Sequence, residues 1–325
     1  MADSSTLSRP AEHSPAAPPP AAPRTAEVPP SRRPSSRRRS AWAHRIFVSP
    51  SVLSLLVLGA FPLLFIIAAA LSESSLGRPF QEWVGADNIT RAIADTDVVA
   101  SLVRSSVYAA GVTVVSVTLG VAVAVALHRT VGAGSVVRTL LLLPLITPPV
   151  VVGIVWKLIF NPSGGLLDTV TRFFGYSGPP LSLLSSTDWA LPAIAIADVW
   201  EWTPLVTLLV FAALLGMDPE VREAAALDGA HGIRLFAHVT LPAIRGVIGA
   251  VFFIRLVIAF KAFDLIVLMT SGGPGQSTTT PSYLIYQAAL QQFDVGRAAA
   301  ITLLFALVVT LVTIPVAVIT RRLQQ

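Results

Sequence analysis

Along most of this chain apolar residues do not alternate with polar ones. They run together, and polar residues gather in a few short interruptions. Six apolar runs stand out, near Ile46–Leu71, Ser101–Leu127, Val136–Phe160, Trp189–Leu215, Val247–Thr270 and Ala298–Ile319. Each is long enough for a helix to cross roughly 30 Å of hydrocarbon. The pattern therefore predicts six transmembrane helices in an all-α integral membrane protein. Neither β-barrel alternation nor an internal repeat of fixed period is present. The third run holds Pro144, Pro148 and Pro149, so it is expected to be kinked or broken. Membrane helices tolerate this where neighbours or water satisfy the freed carbonyls.

One polar interruption between runs, Met217–Pro242, carries several ionisable residues. Asp218 suits an N-cap, Pro219 a first helical position, and Glu220 the positive end of a helix dipole. That helix should stop at Asp228-Gly229, where glycine supplies a left-handed C′ residue. A second short helix is expected over Gly232–Val239, ending ahead of Pro242. A DNA-reading helix-turn-helix is a poor alternative, because spans flank the pair closely on both sides.

Composition agrees with the pattern. The chain is 54% hydrophobic and 13% charged, against about 25% charged in a soluble globular protein. Its net charge of +5 does not point to nucleic acid, because much of the excess sits in one tail (Arg32, Arg33, Arg37, Arg38, Arg39, Arg45). Such a tail suits anionic lipid headgroups on the cytoplasmic side. Residues 1–40 are rich in Pro, Ala, Ser and Arg and are expected to be a disordered basic tail, leaving 41–325 as one transmembrane domain. A cleaved signal peptide fits this stretch poorly. Zero cysteines exclude disulfides and thiolate chemistry.

Basic residues set the orientation. The tail places the N-terminus inside, and an even number of spans returns Arg321 and Arg322 to that side. The loop with Arg129 and Arg138, and the stretch 217–244, are then cytoplasmic. Segments 72–100, 161–188 and 271–297 face outward, with both acidic and basic residues.

Charges within a span are costly and usually face the bundle interior. In the fourth run Asp198, Glu201 and Trp202 share one helical face, with Trp200 beside them. Two readings fit. Carboxylates beside indoles suit a sugar, accepting hydrogen bonds while the ring covers its C–H surface; alternatively Trp200 and Trp202 are interface anchors and the acids lie just outside the span. In the fifth run Lys261 and Asp264 stand three apart and are expected to form an internal ion pair, either structural or on a solute path. Arg255 is expected to snorkel toward the cytoplasm. No constellation points to catalysis or metal binding, and His128, His231 and His238 read as edge residues.

The polar stretch carries a family resemblance. Glu223-Ala-Ala, Gly229, Val239 and Leu241-Pro242 keep the spacing of the EAA loop of ABC importer permeases, and Ala224-Ala-Ala-Leu-Asp-Gly-Ala230 resembles its carbohydrate-uptake branch. Met269-Thr-Ser-Gly-Gly-Pro-Gly with Tyr283-Leu-Ile-Tyr286 resembles the larger permease subunit of maltose-type sugar importers. The resemblance covers roughly residues 46–322. It implies the type I ABC importer permease fold in a bacterial plasma membrane, both termini cytoplasmic. It also implies a second homologous permease subunit, two ATPase subunits and an extracytoplasmic solute-binding (lipo)protein, besides membrane lipid and no nucleic acid. Arg222, Glu223, Ala224, Ala225, Asp228, Gly229, Leu241 and Pro242 would form the ATPase-coupling loop.

The chain has no G-x-x-x-x-G-K-[ST] phosphate loop. It is therefore expected to bind no cofactor, with ATP and Mg²⁺ held by partner subunits, and not to be an enzyme. The expected cargo is a di- or oligosaccharide or a polyol, with glycerol-phosphate-type solutes as the alternative. An ion-coupled carrier or a non-transporting scaffold fits the EAA spacing less well.

Overall fold

A computed structural model describes residues 47–129 and 135–324. The basic tail, the loop 130–134, and the side chains of Arg129, Arg138 and Arg222 lie outside the described parts. The chain divides into two units, Met1–Leu55 and Leu56–Gln325. In the first, residues 47–55 are helical, within the apolar run Phe47–Ala70.

In the second unit the elements follow in order. Helix α1 (Phe61–Ala70) leads into a small antiparallel hairpin, β1 (Ser72–Ser75) and β2 (Arg78–Trp83), then α2 (Asp87–Ala94) and the long α3 (Thr96–Arg129). Next come α4 (Ser135–Ile146), α5 (Pro149–Ile159), α6 (Leu166–Phe173), α7 (Ala190–Leu215) and α8 (Pro219–Leu227). Helix α9 runs through Gly232–Phe260, and α10 (Asp264–Met269), α11 (Pro281–Tyr286) and α12 (Val295–Gln324) complete the chain. Among the described residues five helices are long and apolar enough to cross a membrane, or six if α4 and α5 form one broken span. The break is a 101° bend at Thr147-Pro148-Pro149. Pro148 is extended (ψ 137°), and a proline pair cannot continue the hydrogen-bond ladder.

Three differences from the sequence expectation bear on the site. The second span starts at Thr96, not Ser101, because α3 extends a turn beyond its apolar run. The segment before it, expected to face outward, contains the hairpin, whose strands alternation in so short a stretch does not reveal. The expected fifth run, Val247–Thr270, is two elements. Helix α9 ends at Phe260, residues 261–263 are non-helical, and α10 restarts at Asp264. The freed carbonyl of Ala262 accepts from Thr280 Oγ1 at 3.4 Å.

Helices α3 and α7 form the centre. Membrane helices gain little from hydrophobic burial against one another and associate through close packing and polar contacts. Gly120 on α3 shows this, since a Cβ there would stand 2.5 Å from Val206 Cγ1 and 3.2 Å from the Thr207 backbone nitrogen. Around this contact Val117, Ala124, Val206, Val210, Leu214, Ile244 and Val251 form one buried cluster. A second, further from the α8 end, joins Tyr108, Val152, Phe160, Ile194, Leu256, Phe260 and Ile266. A third packs α1 on α12 through Ala69, Ala70, Ala299, Ala300 and Ile301.

Replacing Gly120 by Val should overpack the α3–α7 crossing and lower stability by about 1–3 kcal/mol. Gly111→Ala, with nothing within 4 Å of the added Cβ, should be neutral. Thermal unfolding of the detergent-solubilised variants checks both.

Candidate functional site

The polar stretch after α7 folds as two connected helical pieces. Asp218 is extended (ψ 121°), and its Oδ1 accepts from the Glu220 N–H at 2.9 Å, so the expected N-cap forms. The other end is closed by a Schellman motif. Gly229 has φ +80°, its N–H donates to Ala226 O at 3.1 Å, and the Ala230 N–H donates to Ala225 O at 2.9 Å. A β-carbon at Gly229 would meet nothing within 4 Å, so the glycine is required by conformation, not by space. Glu223, Ala224 and Asp228 are exposed, as are the apolar side chains Leu227 (90%) and Ile233 (80%).

The second piece corrects the sequence expectation, because its helix does not end ahead of Pro242. It continues from Gly232 to Phe260 through a π-turn at Phe236–Thr240. There the Leu241 N–H reaches Phe236 O, five residues back. This shift of the ladder lets Pro242, which has no N–H, stand in the first turn of the following α-helical segment. Leu241 and Pro242 are exposed.

The intramembrane candidates separate. Asp198 lies inside the bundle, 4% exposed. Its Oδ1 accepts from Arg255 Nη2 at 2.8 Å and its Oδ2 from the Tyr108 hydroxyl at 2.9 Å. Arg255, 0% exposed, also donates through Nε to Ser116 Oγ at 3.3 Å and lies 5.9 Å from the centre of the Trp202 ring. One carboxylate and one guanidinium thus tie α3, α7 and α9 together. Arg255 does not snorkel, because its partner is inside the bundle. Glu201, also buried, lies within electrostatic range of Asp198, Arg255 and Asp264.

Trp200 faces elsewhere. It is 41% exposed and meets Trp156 edge-to-face at 5.9 Å. Helical geometry explains the split, since 198, 201 and 202 share a face that 200 opposes. Trp200 borders an apolar groove of about 870 Å³ between α3, α4 and α7, with Val115, Leu119 and Pro144.

Lys261 and Asp264 do not form the expected ion pair among the described residues. Both are exposed, and the helical spacing that would have joined them is lost at the 261–263 break.

A second cleft, about 570 Å³, opens where α5 ends, bordered by Lys157, Asn161, Ser182, Ser185, Thr270 and Gly273. The Lys157 ammonium donates to Leu268 O at 3.0 Å. The Met269–Gly275 turn forming one wall is internally braced: Thr270 and Thr278 hydroxyls stand 2.7 Å apart. Gly272 (φ +83°) lies so close to Tyr283 that a Cβ would approach its ring to 2.6 Å. This is the role of the glycine and the tyrosine in that motif.

A bundle of apolar helices with a buried charge cluster and an exposed, doubly capped helical loop between two spans defines a membrane permease subunit. Residues 116–325 match the family described as binding-protein-dependent transport system inner membrane component, and the chain belongs to that family. A probable ABC transporter permease of Sinorhizobium fredii is 33% identical over 267 residues, 82% of this chain and 85% of the relative. The diacetylchitobiose uptake permease NgcF of Streptomyces coelicolor is 32% identical over 72% of this chain and 71% of its own. A trehalose/maltose permease, MalF of Thermococcus litoralis, is 35% identical over 59% of this chain and 64% of its own. In fold, the chain resembles one from a bacterial alginate ABC transporter crystallised with its alginate-bound periplasmic protein (TM-score 0.77, 19% identity, 89% of this chain and 98% of that one).

Arg255→Met should leave Asp198 as an uncompensated buried charge and cost about 3–5 kcal/mol. Adding Asp198→Leu should recover most of that loss. Thermal unfolding of the single and double variants decides it.

Proposed function

We propose that this permease subunit imports a carbohydrate, delivered by an extracytoplasmic binding protein and driven by separate ATPase subunits. The observation that carries the proposal is the α8–α9 loop. It is capped at both ends of α8, exposed on its outer face, and continuous through α9 with the bundle. Exposed Val221, Leu227 and Ile233 give it apolar side chains, and Glu223 and Asp228 charged ones, a mixture that suits a protein-docking surface. An ATPase subunit seated there would move α9 as a lever.

The loop side is the cytoplasmic one in this reading, with both termini on that side, and the cleft near Asn161 and Thr270 is the outer mouth. The hydroxyls and amide around that cleft suit a hydroxyl-rich solute. A carbohydrate is also the cargo named for the diacetylchitobiose and trehalose/maltose relatives. On the solute path we place Lys261, Asp264 and Trp202, near the break after α9. The pairing of Asp198 with Arg255 withdraws Asp198 from solute. A second permease subunit completes the pathway, and ATP with Mg²⁺ is held by the ATPases.

Glu223→Lys reverses a charge on the docking face, and Gly229→Asp puts a branched, charged residue at φ +80°. Each should lower uptake about tenfold or more, the scale of a lost coupling energy, while membrane levels stay normal. Uptake of labelled oligosaccharides, polyols and glycerol phosphates by cells carrying the full importer measures this and identifies the cargo. Normal uptake in both variants would remove the loop from the coupling role.

A further inference from the structure

On α7, Asp198 and Glu201 are one turn apart and both residues are buried, but only Asp198 is paired with the buried Arg255. Arg255 uses Nη2 on Asp198 and Nε on Ser116. Its Nη1 is buried and, among the described residues, has no hydrogen-bond partner. Glu201, 4% exposed, makes no hydrogen bond or ion pair among the described residues, although it lies within electrostatic range of Arg255. A buried, unused guanidinium N–H thus lies within electrostatic range of a carboxylate that no hydrogen bond engages. A buried donor seldom remains unpaired without a reason.

The surrounding helices supply one. Helix α9 is unbroken from Gly232, within the exposed loop, to Phe260, so a displacement at the loop is carried roughly six turns to Arg255. Helix α7 runs toward that same loop. Glu201 is therefore on the loop side of Asp198, displaced by three residues or about 4.5 Å of helix axis. Drawing α9 toward the loop by that amount brings the guanidinium level with Glu201. A planar fork with five N–H donors can engage the second carboxylate before leaving the first, so the charge is never left alone in low dielectric.

We infer that Arg255 is a two-position latch between α9 and α7, paired with Asp198 in the arrangement seen here and with Glu201 when the coupling loop draws α9 along α7. The inference rests on the coupling-loop reading and adds the element within the bundle that makes its two states discrete. Arg255, Asp198 and Glu201 are positioning residues in this scheme and need not touch solute.

The chain contains no cysteine, so with cysteine-free versions of the partner subunits labels can be introduced without background. Leu208→Cys on α7 and Ile254→Cys on α9, both exposed positions, carry spin labels in the complete importer reconstituted with its ATPase and binding protein. Distances are recorded without nucleotide and after trapping with ATP, Mg²⁺ and vanadate, beside the ATPase stimulation by loaded binding protein. The unsubstituted pair should show two distance populations that exchange on trapping. Glu201→Gln keeps the Arg255–Asp198 pair and should lose the trapped population, with stimulation falling about tenfold; Glu201→Asp should restore part of both. Asp198→Asn should populate the trapped distance without nucleotide. A Glu201→Gln importer with both populations and full stimulation would overturn the latch, even if Asp198→Asn fails to fold. Absence of stimulation in the unsubstituted complex would instead overturn the coupling reading beneath it.

Discussion

The arrangement of the bundle depends on the ion pair between Asp198 and Arg255. Each charge alone would be costly in a span, and a direct pair in low dielectric offsets that cost only with good geometry and further hydrogen bonds. Both conditions are met: the contact is 2.8 Å, Tyr108 satisfies the second carboxylate oxygen, and Ser116 takes a second guanidinium N–H. Tyr108 and Ser116 lie on α3, Asp198 on α7 and Arg255 on α9, so the cluster specifies which faces of the three helices meet. Apolar packing alone would not specify this, because lipid tails are as apolar as the side chains. The close Gly120–Val206 approach then fixes how near α3 and α7 come.

The exposed loop is built by the same logic at its ends. Every structural device in α8 uses a local residue choice: Asp218 for the N-cap, Pro219 for the first position, and Gly229 for the positive φ. The result is a short helix that stays formed without burial, which suits a docking element. Its connection to the bundle is a π-turn. By shifting the hydrogen-bond ladder ahead of Pro242, that turn keeps α9 continuous, so the loop and Arg255 belong to one helix.

Sequence made much of this legible where a rule is local. The N-cap, the glycine stop and the break at Pro148-Pro149 follow from residue chemistry over a few positions, and the structure has each of them. The spans were legible because long apolar runs have few other uses. What sequence hid was non-local. Pro242 reads as a helix end, since nothing in the local pattern signals a π-turn before it. Lys261 and Asp264 read as a pair because their spacing is helical, but the chain leaves the helix there and the spacing loses its meaning. Arg255 reads as a snorkelling residue until its partner on another helix, Asp198, is known. Trp200 and Trp202 looked alike by composition and are parted only by helical phase.

Helix α9 also clarifies how events at the loop can reach the far side. At its other end it stops at Phe260, and the short stretch 261–263 leads into α10 and the Met269–Pro274 wall of the polar cleft. The Leu268 carbonyl just before that wall is tied to α5 by Lys157. The wall is braced by Thr278, whose hydroxyl contacts Thr270 Oγ1 and donates to Gly273 O. It is joined to the end of α9 by the Thr280 to Ala262 hydrogen bond. A flexible wall would absorb a shift of α9; a braced one passes the shift on to the cleft. The polar break at 261–263 is where such a shift becomes a change of direction, because a non-helical hinge between two rigid pieces converts translation into tilt. The charged residues Lys261 and Asp264 flank that hinge and are exposed there.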